Sequence, residues 1–183
     1  MWPPNLVRTP DALNCVNRCK IVLKRLVTLP YLSCLESLDI SINTLGIPGM
    51  DALAHHSLTS LKKLNIARCY ISDEGFQKLR SSSLMNQLHT INVSYNRISR
   101  QEAQAFIESE SCSTIVHLIW EDLVLSTQGW LALATSEHVS ALRTFDAPVK
   151  YRPRTSRAIL LKAFKSATTL HPDVKQYILN HFT

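Results

Sequence analysis

Apolar and polar residues alternate in short bursts along this chain, and the bursts return at a fixed interval. The first reads Leu35-x-x-Leu38-x-Ile40-x-x-Asn43 and the second Leu61-x-x-Leu64-x-Ile66-x-x-Cys69. Leu88-x-x-Ile91-x-Val93-x-x-Asn96 and Ile115-x-x-Leu118-x-Trp120-x-x-Leu123 follow. A fifth start, Leu142-x-x-Phe145-x-Ala147, breaks off at Pro148. The spacing from one start to the next is 26 or 27 residues. A period of that size is the mark of a solenoid, in which each unit buries its apolar face only by stacking on its neighbours.

The pattern within one unit predicts two elements. Positions four and six of the motif are apolar while three, five and seven are mostly polar, as in a half-buried strand. Leu38 and Ile40 therefore point inward, and Ser37, Asp39 and Ser41 outward. Position nine opens a turn and holds Asn43, Cys69, Asn96 and Leu123. An Asn there can bond neighbouring backbone groups and stack into a ladder along the solenoid. Cys can replace it as a small, weak donor. Leu123 cannot, which predicts a local distortion in that unit. The second half is helical. Ser72, Ser99 and Ser126 stand where an N-cap belongs, and Ser99-x-x-Glu102 has capping-box spacing. Six residues past the turn come Gly49, Gly75, Glu102 and Gly129; ten past it come Leu53, Leu79, Phe106 and Leu133.

These residues resemble the ribonuclease-inhibitor type of leucine-rich repeat, also called the cysteine-containing class, with its L-x-x-L-x-L-x-x-N/C-x-L strand and following helix. The resemblance covers about residues 30–147. It implies an α/β solenoid with parallel strands on a concave face and helices on a convex one. It is specific for fold and poor for function, since members of the family range from inhibitors to ligase adaptors to bacterial effectors. No F-box is recognisable before the repeats.

The two ends are less regular. Residues 1–34 read as an N-terminal cap or degenerate first repeat. Ala12-Leu13-Asn14-Cys15-Val16 is the candidate first strand, and Ile21 to Leu29, stopped by Pro30, its helix. Residues 35–147 hold the repeats. Residues 148–183 read as a basic helical C-terminal cap or tail. One helix is expected over 155–169, capped by Thr155 or Ser156, with Ile159, Leu160, Ala163 and Phe164 on one stripe. A second opens at His171-Pro172-Asp173, with Val174, Tyr177, Ile178 and Phe182 on one side.

Charge sharpens this division. Residues 1–147 are balanced, with 13 Lys or Arg against 13 Asp or Glu. The net +6 belongs wholly to residues 148–183, where Lys150, Arg152, Arg154, Arg157, Lys162, Lys165 and Lys175 face Asp173 alone. A solvated face on capping helices, an acidic partner such as nucleic acid or lipid, and a targeting signal are the three readings of that surplus. No apolar run is long enough to span a bilayer, and the N-terminus lacks the pattern of a secretory signal. Five scattered cysteines without a C-x-x-C favour a reducing compartment. The expected location is intracellular and cytoplasmic, or the host cytosol for a secreted effector.

Catalysis finds little support. His55-His56 has no H-E-x-x-H context, the cysteines lack an evident His partner, and no glycine-rich phosphate loop exists. No cofactor or metal is called for. Cys69 is explained by the turn ladder, Cys15 and Cys34 by partial burial, and Trp120 and Trp130 by the core. The outward strand positions are then the candidate partner surface, about 20–25 Å across for five strands. Its candidate binding residues are Lys63, Asn65, Arg68, Asn92, Tyr95, His117 and Glu121. Arg68 and Tyr95 are adjacent in one column, and both types favour interface hot spots. The reading that follows is a non-enzymatic protein-binding module, adaptor- or effector-like, using the concave face or the flanking helices. The alternative is a structural subunit of a large assembly, including a ribonucleoprotein, anchored by Lys150, Arg152, Arg154 and Arg157.

Overall fold

The computed structural model of the chain describes residues 7–8, 33–55, 58–147 and 157–182. Six strands lie side by side in sequence order: β1 (Val7–Arg8), β2 (Ser37–Asp39), β3 (Lys63–Asn65), β4 (Thr90–Asn92), β5 (His117–Ile119) and β6 (Thr144–Asp146). Every pairing is parallel, and from β2 onward the register matches motif position to motif position. Leu38 pairs with Leu64, Leu64 with Ile91, Ile91 with Leu118 and Leu118 with Phe145. That row is buried, so one apolar stripe crosses the inner side of the sheet.

Helices α1 (Gly46–His55), α2 (Asp73–Arg80), α3 (Arg100–Ile107) and α4 (Thr127–Thr135) alternate with the strands. This is the α/β solenoid that the repeat predicts. Leu53, Leu79, Phe106 and Leu133, the residues ten past each turn, are all fully buried. Phe76, Phe106 and Trp120 meet in the middle of the core, with the Phe76 ring centroid 5.3 Å from Phe106 and 5.7 Å from Trp120. Burying one such side chain contributes about 1.5–3 kcal/mol. Three short 3-10 turns, Met85–Gln87, Glu110–Cys112 and Glu137–Val139, carry the chain into β4, β5 and β6.

The helix starts differ in chemistry. The hydroxyl of Ser99 accepts from the Glu102 amide at 3.2 Å, and that of Ser126 from the Gly129 amide at 3.1 Å. Ser72 occupies the N-cap of α2 without a side-chain cap bond. Ser126→Ala should therefore cost about 1 kcal/mol and Ser72→Ala only a few tenths. Equal shifts of the two urea midpoints would contradict this. The capping box at Ser99 is only half made. Glu102 does not return a bond to the Ser99 amide, which donates instead to Asp73 Oδ1 at 2.6 Å. The Glu102 carboxylate is buried and accepts from Gln77 Nε2 at 2.9 Å and Arg80 Nε at 2.8 Å. Where the other units have glycine, this one carries an ion pair joining α2 to α3. At Gly49 and Gly129 space is short: a Cβ would lie 2.6 Å from Leu45 Cβ and 3.0 Å from Leu125 Cδ2.

The ends depart from expectation in two places. The strand beside β2 is Val7–Arg8, not residues 12–16: Val7 pairs with Leu38 and Arg8 with Asp39. Residues 12–16 and the expected helix at 21–29 lie outside the described residues. At the other end, α5 (Arg157–Ser166) and α6 (Pro172–Phe182) form where the sequence places two helices, with Pro172 in the first turn. Leu160, Phe164, Val174 and Ile178 join the common core. Phe164 stacks edge-on to Trp130, which meets Phe145 in the same way, each pair at 6.3 Å. The Tyr177 hydroxyl donates to the Ala147 carbonyl at 3.1 Å. Ile159, assigned by the sequence to the apolar stripe, is exposed because the stripe that packs is one residue narrower. The expected caps Thr155 and Ser156 lie outside the described residues.

Candidate functional site

The C-terminal ends of the strands are shaped by side chains that bond the backbone. At position five, Asp39 Oδ1 accepts from the Ser41 amide at 2.9 Å, Asn65 Oδ1 from the Ala67 amide at 3.1 Å, and Asn92 Oδ1 from the Ser94 amide at 3.0 Å. Asn65 also donates to Asp39 Oδ2 at 3.0 Å and is 7% exposed. Asn65 and Asn92 are thus strand-end caps before they are anything else. Both ends of the Asn65 amide are engaged, so it offers a partner little.

At position nine the expected ladder exists. Asn96 Oδ1 accepts from the amides of Cys69 and Ile71 at 3.0 and 3.1 Å, and its Nδ2 donates to the carbonyls of Ile66 and Val93 at 2.9 Å each. The Cys69 thiol donates one unit further back, to the Ile40 carbonyl at 3.1 Å. Asn43 Nδ2 donates to the carbonyls of Ile40 and Ser41. Cys34, expected to be partly buried, is exposed. Burial pushes the Cys112 thiol up to about 12, so no thiolate nucleophile forms there near neutral pH.

Between these two anchored positions the chain must turn sharply. Ile42, Arg68 and Tyr95, at position eight, all adopt left-handed backbone, with φ of 59°, 57° and 58°. Such a conformation costs a non-glycine residue about 1–2 kcal/mol. It throws the three side chains outward in one row along the turn edge. The Arg68 guanidinium lies over the Tyr95 ring, 4.7 Å from its centroid. Two residues on, the types are exchanged: Arg97 lies 5.1 Å from the Tyr70 centroid. Tyr70 is itself left-handed, at φ 56°. A hydrogen bond to the Glu121 carboxylate, and its negative charge, hold the Tyr95 phenol above its ordinary value. Ile42, Tyr70 and Tyr95 are 63%, 56% and 46% exposed.

The fourth unit breaks the scheme as Leu123 predicts. Position five is Ile119, which has no oxygen to offer, and the Glu121 amide donates instead to the buried Ser94 hydroxyl of the preceding unit, at 3.0 Å. In earlier units the position-eight amides of Ile42 and Arg68 donate to the backbone carbonyls of Ala67 and Ser94. Tyr95 donates to the Asp122 side chain, at 2.7 Å. Leu123 is buried rather than laddered.

A family model for the leucine-rich repeat matches residues 31–54 and 57–79. The chain is a leucine-rich repeat protein. No curated protein matches it significantly. Both matched leucine-rich repeats keep the left-handed turn, as does the third unit, and the irregular fourth, with Ile119 and Leu123, lies beyond them. Leucine-rich repeats generally mediate protein–protein interaction, and proteins built from them are typically binding modules rather than catalysts.

The remaining candidate residues of these repeats spread over the same face. Lys63, Thr90, His117 and Thr144 follow one another at position three. His117 Nδ1 lies 2.8 Å from Thr144 Oγ1, and desolvation with the charges of Lys63 and His89 lowers its pKa. Glu121 is exposed beside Tyr95. Arg68 and Tyr95 thus come together as the sequence pairs them. Nothing in the repeat pattern marks Ile42, Tyr70 and Arg97, although Arg68-x-Tyr70 above Tyr95-x-Arg97 is a readable exchange of types. Of the basic tail, Lys150, Arg152 and Arg154 lie outside the described residues, and Arg157 is the first residue of α5. Lys175 is engaged, donating to the carbonyls of Lys165 and Ala167 at the end of α5. Among the described residues no His, Cys, Asp and Glu group could hold a metal ion, and no helix is long and apolar enough to cross a membrane.

Proposed function

We propose that this protein is a non-enzymatic, adaptor-like module that holds a protein partner on the turn edge of its concave side. The row Ile42–Arg68–Tyr95, with Tyr70 and Arg97 beside it, carries the reading. Of the four exposed large apolar residues of the described chain, Ile42 and Tyr95 stand in that row, Tyr70 stands beside it, and Ile159 is the fourth. A clustered apolar patch on a soluble surface marks an interaction site more often than scattered single residues do. Tyr and Arg supply large contact area at low entropic cost. The left-handed turns and the two guanidinium–aromatic pairs hold the side chains in place before a partner arrives, which reduces the ordering cost of binding.

The test is capture on the immobilised chain, identification of the retained protein by mass spectrometry, and titration of that purified protein. Tyr95→Ala and Arg68→Ala should each weaken its affinity by at least tenfold, about 1.4 kcal/mol. Glu74→Ala, at an exposed position of α2 on the helical side, should leave it unchanged. Thermal melts of the variants should stay near wild type. Wild-type affinity in both turn-edge variants would refute the proposal.

A further inference from the structure

Among the described residues, the charges beside the sheet differ between its two edges. The turn edge carries Asp39, Glu121, Asp122 and Asp146, with Arg68 and Arg97 among them. The opposite edge, where the strands begin, carries Lys62, Lys63, His89, His117 and Arg143 with Glu36. A repeated backbone rung stacks these positions. The Glu36 carbonyl accepts the amides of Lys62 and Lys63, the Lys62 carbonyl those of His89 and Thr90, the His89 carbonyl those of Val116 and His117, and the Val116 carbonyl those of Arg143 and Thr144. Lys62, His89, His117 and Arg143 are exposed and Lys63 half-buried. The ion pairs among the described residues join His55 and Lys78 to Asp51, Arg80 to Glu102 and His171 to Asp173, and none involves this edge. Desolvation, with the charges of Lys63 and His89 added to it, lowers the His117 pKa. Among the described residues these cations have no ion-pair partner, and Glu36 is the one acidic residue that shares their edge.

We infer that this N-terminal edge of the sheet takes a short acidic peptide segment of the partner, laid across the strands over Lys62, Lys63, His89, His117 and Arg143. The inference rests on the reading of this side of the solenoid as a protein-binding surface. From Lys62 and Lys63 beside β3 to Arg143 beside β6 is three strand spacings, about 14 Å. That length matches about four residues of extended peptide. A long polyanion fits less well. The carboxylates of Glu121 and Asp122 stand about 15 Å away on the same face and that of Asp146 about 10 Å from Arg143, and they would repel phosphates that strayed from the basic edge. A peptide acidic only where it meets the lysines avoids them. Complementary charge of this kind sets orientation and specificity.

The experiment measures fluorescence anisotropy of a fluorescein-labelled hexaglutamate peptide with the full chain at low salt, beside hexaglutamine and a ten-nucleotide oligouridylate RNA. Hexaglutamate should bind, weaken as salt rises, and exceed both others. Lys62→Glu with Lys63→Glu should weaken it at least tenfold, and Lys62→Ala with Lys63→Ala by a smaller factor; the alanine pair decides if the reversal fails to fold. Tyr95→Ala should leave hexaglutamate binding intact. Binding no tighter than hexaglutamine, or indifferent to both lysine variants, overturns the inference. RNA binding that exceeds hexaglutamate and falls with the same variants overturns it in favour of a nucleic-acid surface. The two readings fail separately. Partner capture lost in Tyr95→Ala but kept in both lysine variants removes the acidic segment and leaves the turn edge. Lysine-dependent hexaglutamate binding with capture indifferent to Tyr95 does the reverse.

Discussion

Asn96→Ala should destabilise the protein by about 3–5 kcal/mol, more than any other single loss of a polar side chain. The estimate comes from the groups that alanine would abandon. Cys69 and Ile71 are fully buried, and their amides donate to Asn96 Oδ1. Each buried donor left without a partner costs about 1–3 kcal/mol. The Ile66 carbonyl, also in a fully buried residue, would lose the Nδ2 donor. Against a typical total stability of about 5–15 kcal/mol, this is a large share. Cys69→Ala offers the comparison. It removes a buried sulfur with its weak thiol bonds to the Ile40 and Ala67 carbonyls and should cost about 1 kcal/mol. Urea denaturation of the two variants measures the difference. A loss below 1 kcal/mol for Asn96→Ala would show that the ladder does not hold the turns.

Trp130→Ala should cost a similar amount, about 3–5 kcal/mol, by opening a cavity. Its second effect is local. Trp130 stands between Phe145 of β6 and Phe164 of α5, and so connects the last complete repeat to the terminal helices. In a solenoid each unit feels only its neighbours. Hydrogen exchange should therefore rise most over residues 157–182. Phe76→Ala removes a comparable ring from the middle of the core, where it touches Phe106 and Trp120. Its effect should centre on α2 and α3, with the terminal helices opening no more than the loss of global stability requires. Equal exchange profiles for the two variants would contradict neighbour-limited coupling.

The inward half of this fold was legible in the sequence because burial leaves few choices. Leu38, Leu64, Ile91, Leu118 and Phe145 recur at one spacing and meet in one row. The distortion at Leu123 was legible for the same reason: a side chain without polar atoms cannot occupy a hydrogen-bonded place. What the sequence hides is geometry that runs against residue preference. Ile, Arg and Tyr rarely adopt left-handed backbone, so nothing in Ile42, Arg68 or Tyr95 announces it. The caps at positions five and nine impose it from either side. The true place of Asn65 was equally hidden, since an outward strand position does not reveal that a neighbouring amide claims the side chain. The Ser99–Glu102 motif misled because two residues of α2, Gln77 and Arg80, compete for the same carboxylate. The candidate site was thus half legible: its residues paired correctly, but its position on a turn row, and the company of Ile42 and Tyr70, required the backbone.

The Ser94 hydroxyl that receives the Glu121 amide has a consequence for the ancestry of the array. Solenoids lengthen and shorten by copying units, which presumes that any unit can follow any other. Here the third is fitted to the fourth. The second unit has Ala67 at the place of Ser94, so inserting a copy of it ahead of Ile119 would leave the Glu121 amide without its acceptor. The fourth unit could follow the first on this count, where Ser41 stands at that place, but not the second. The array is periodic in its leucines and ordered in its seams, so its present sequence of units is a grammar rather than a tally.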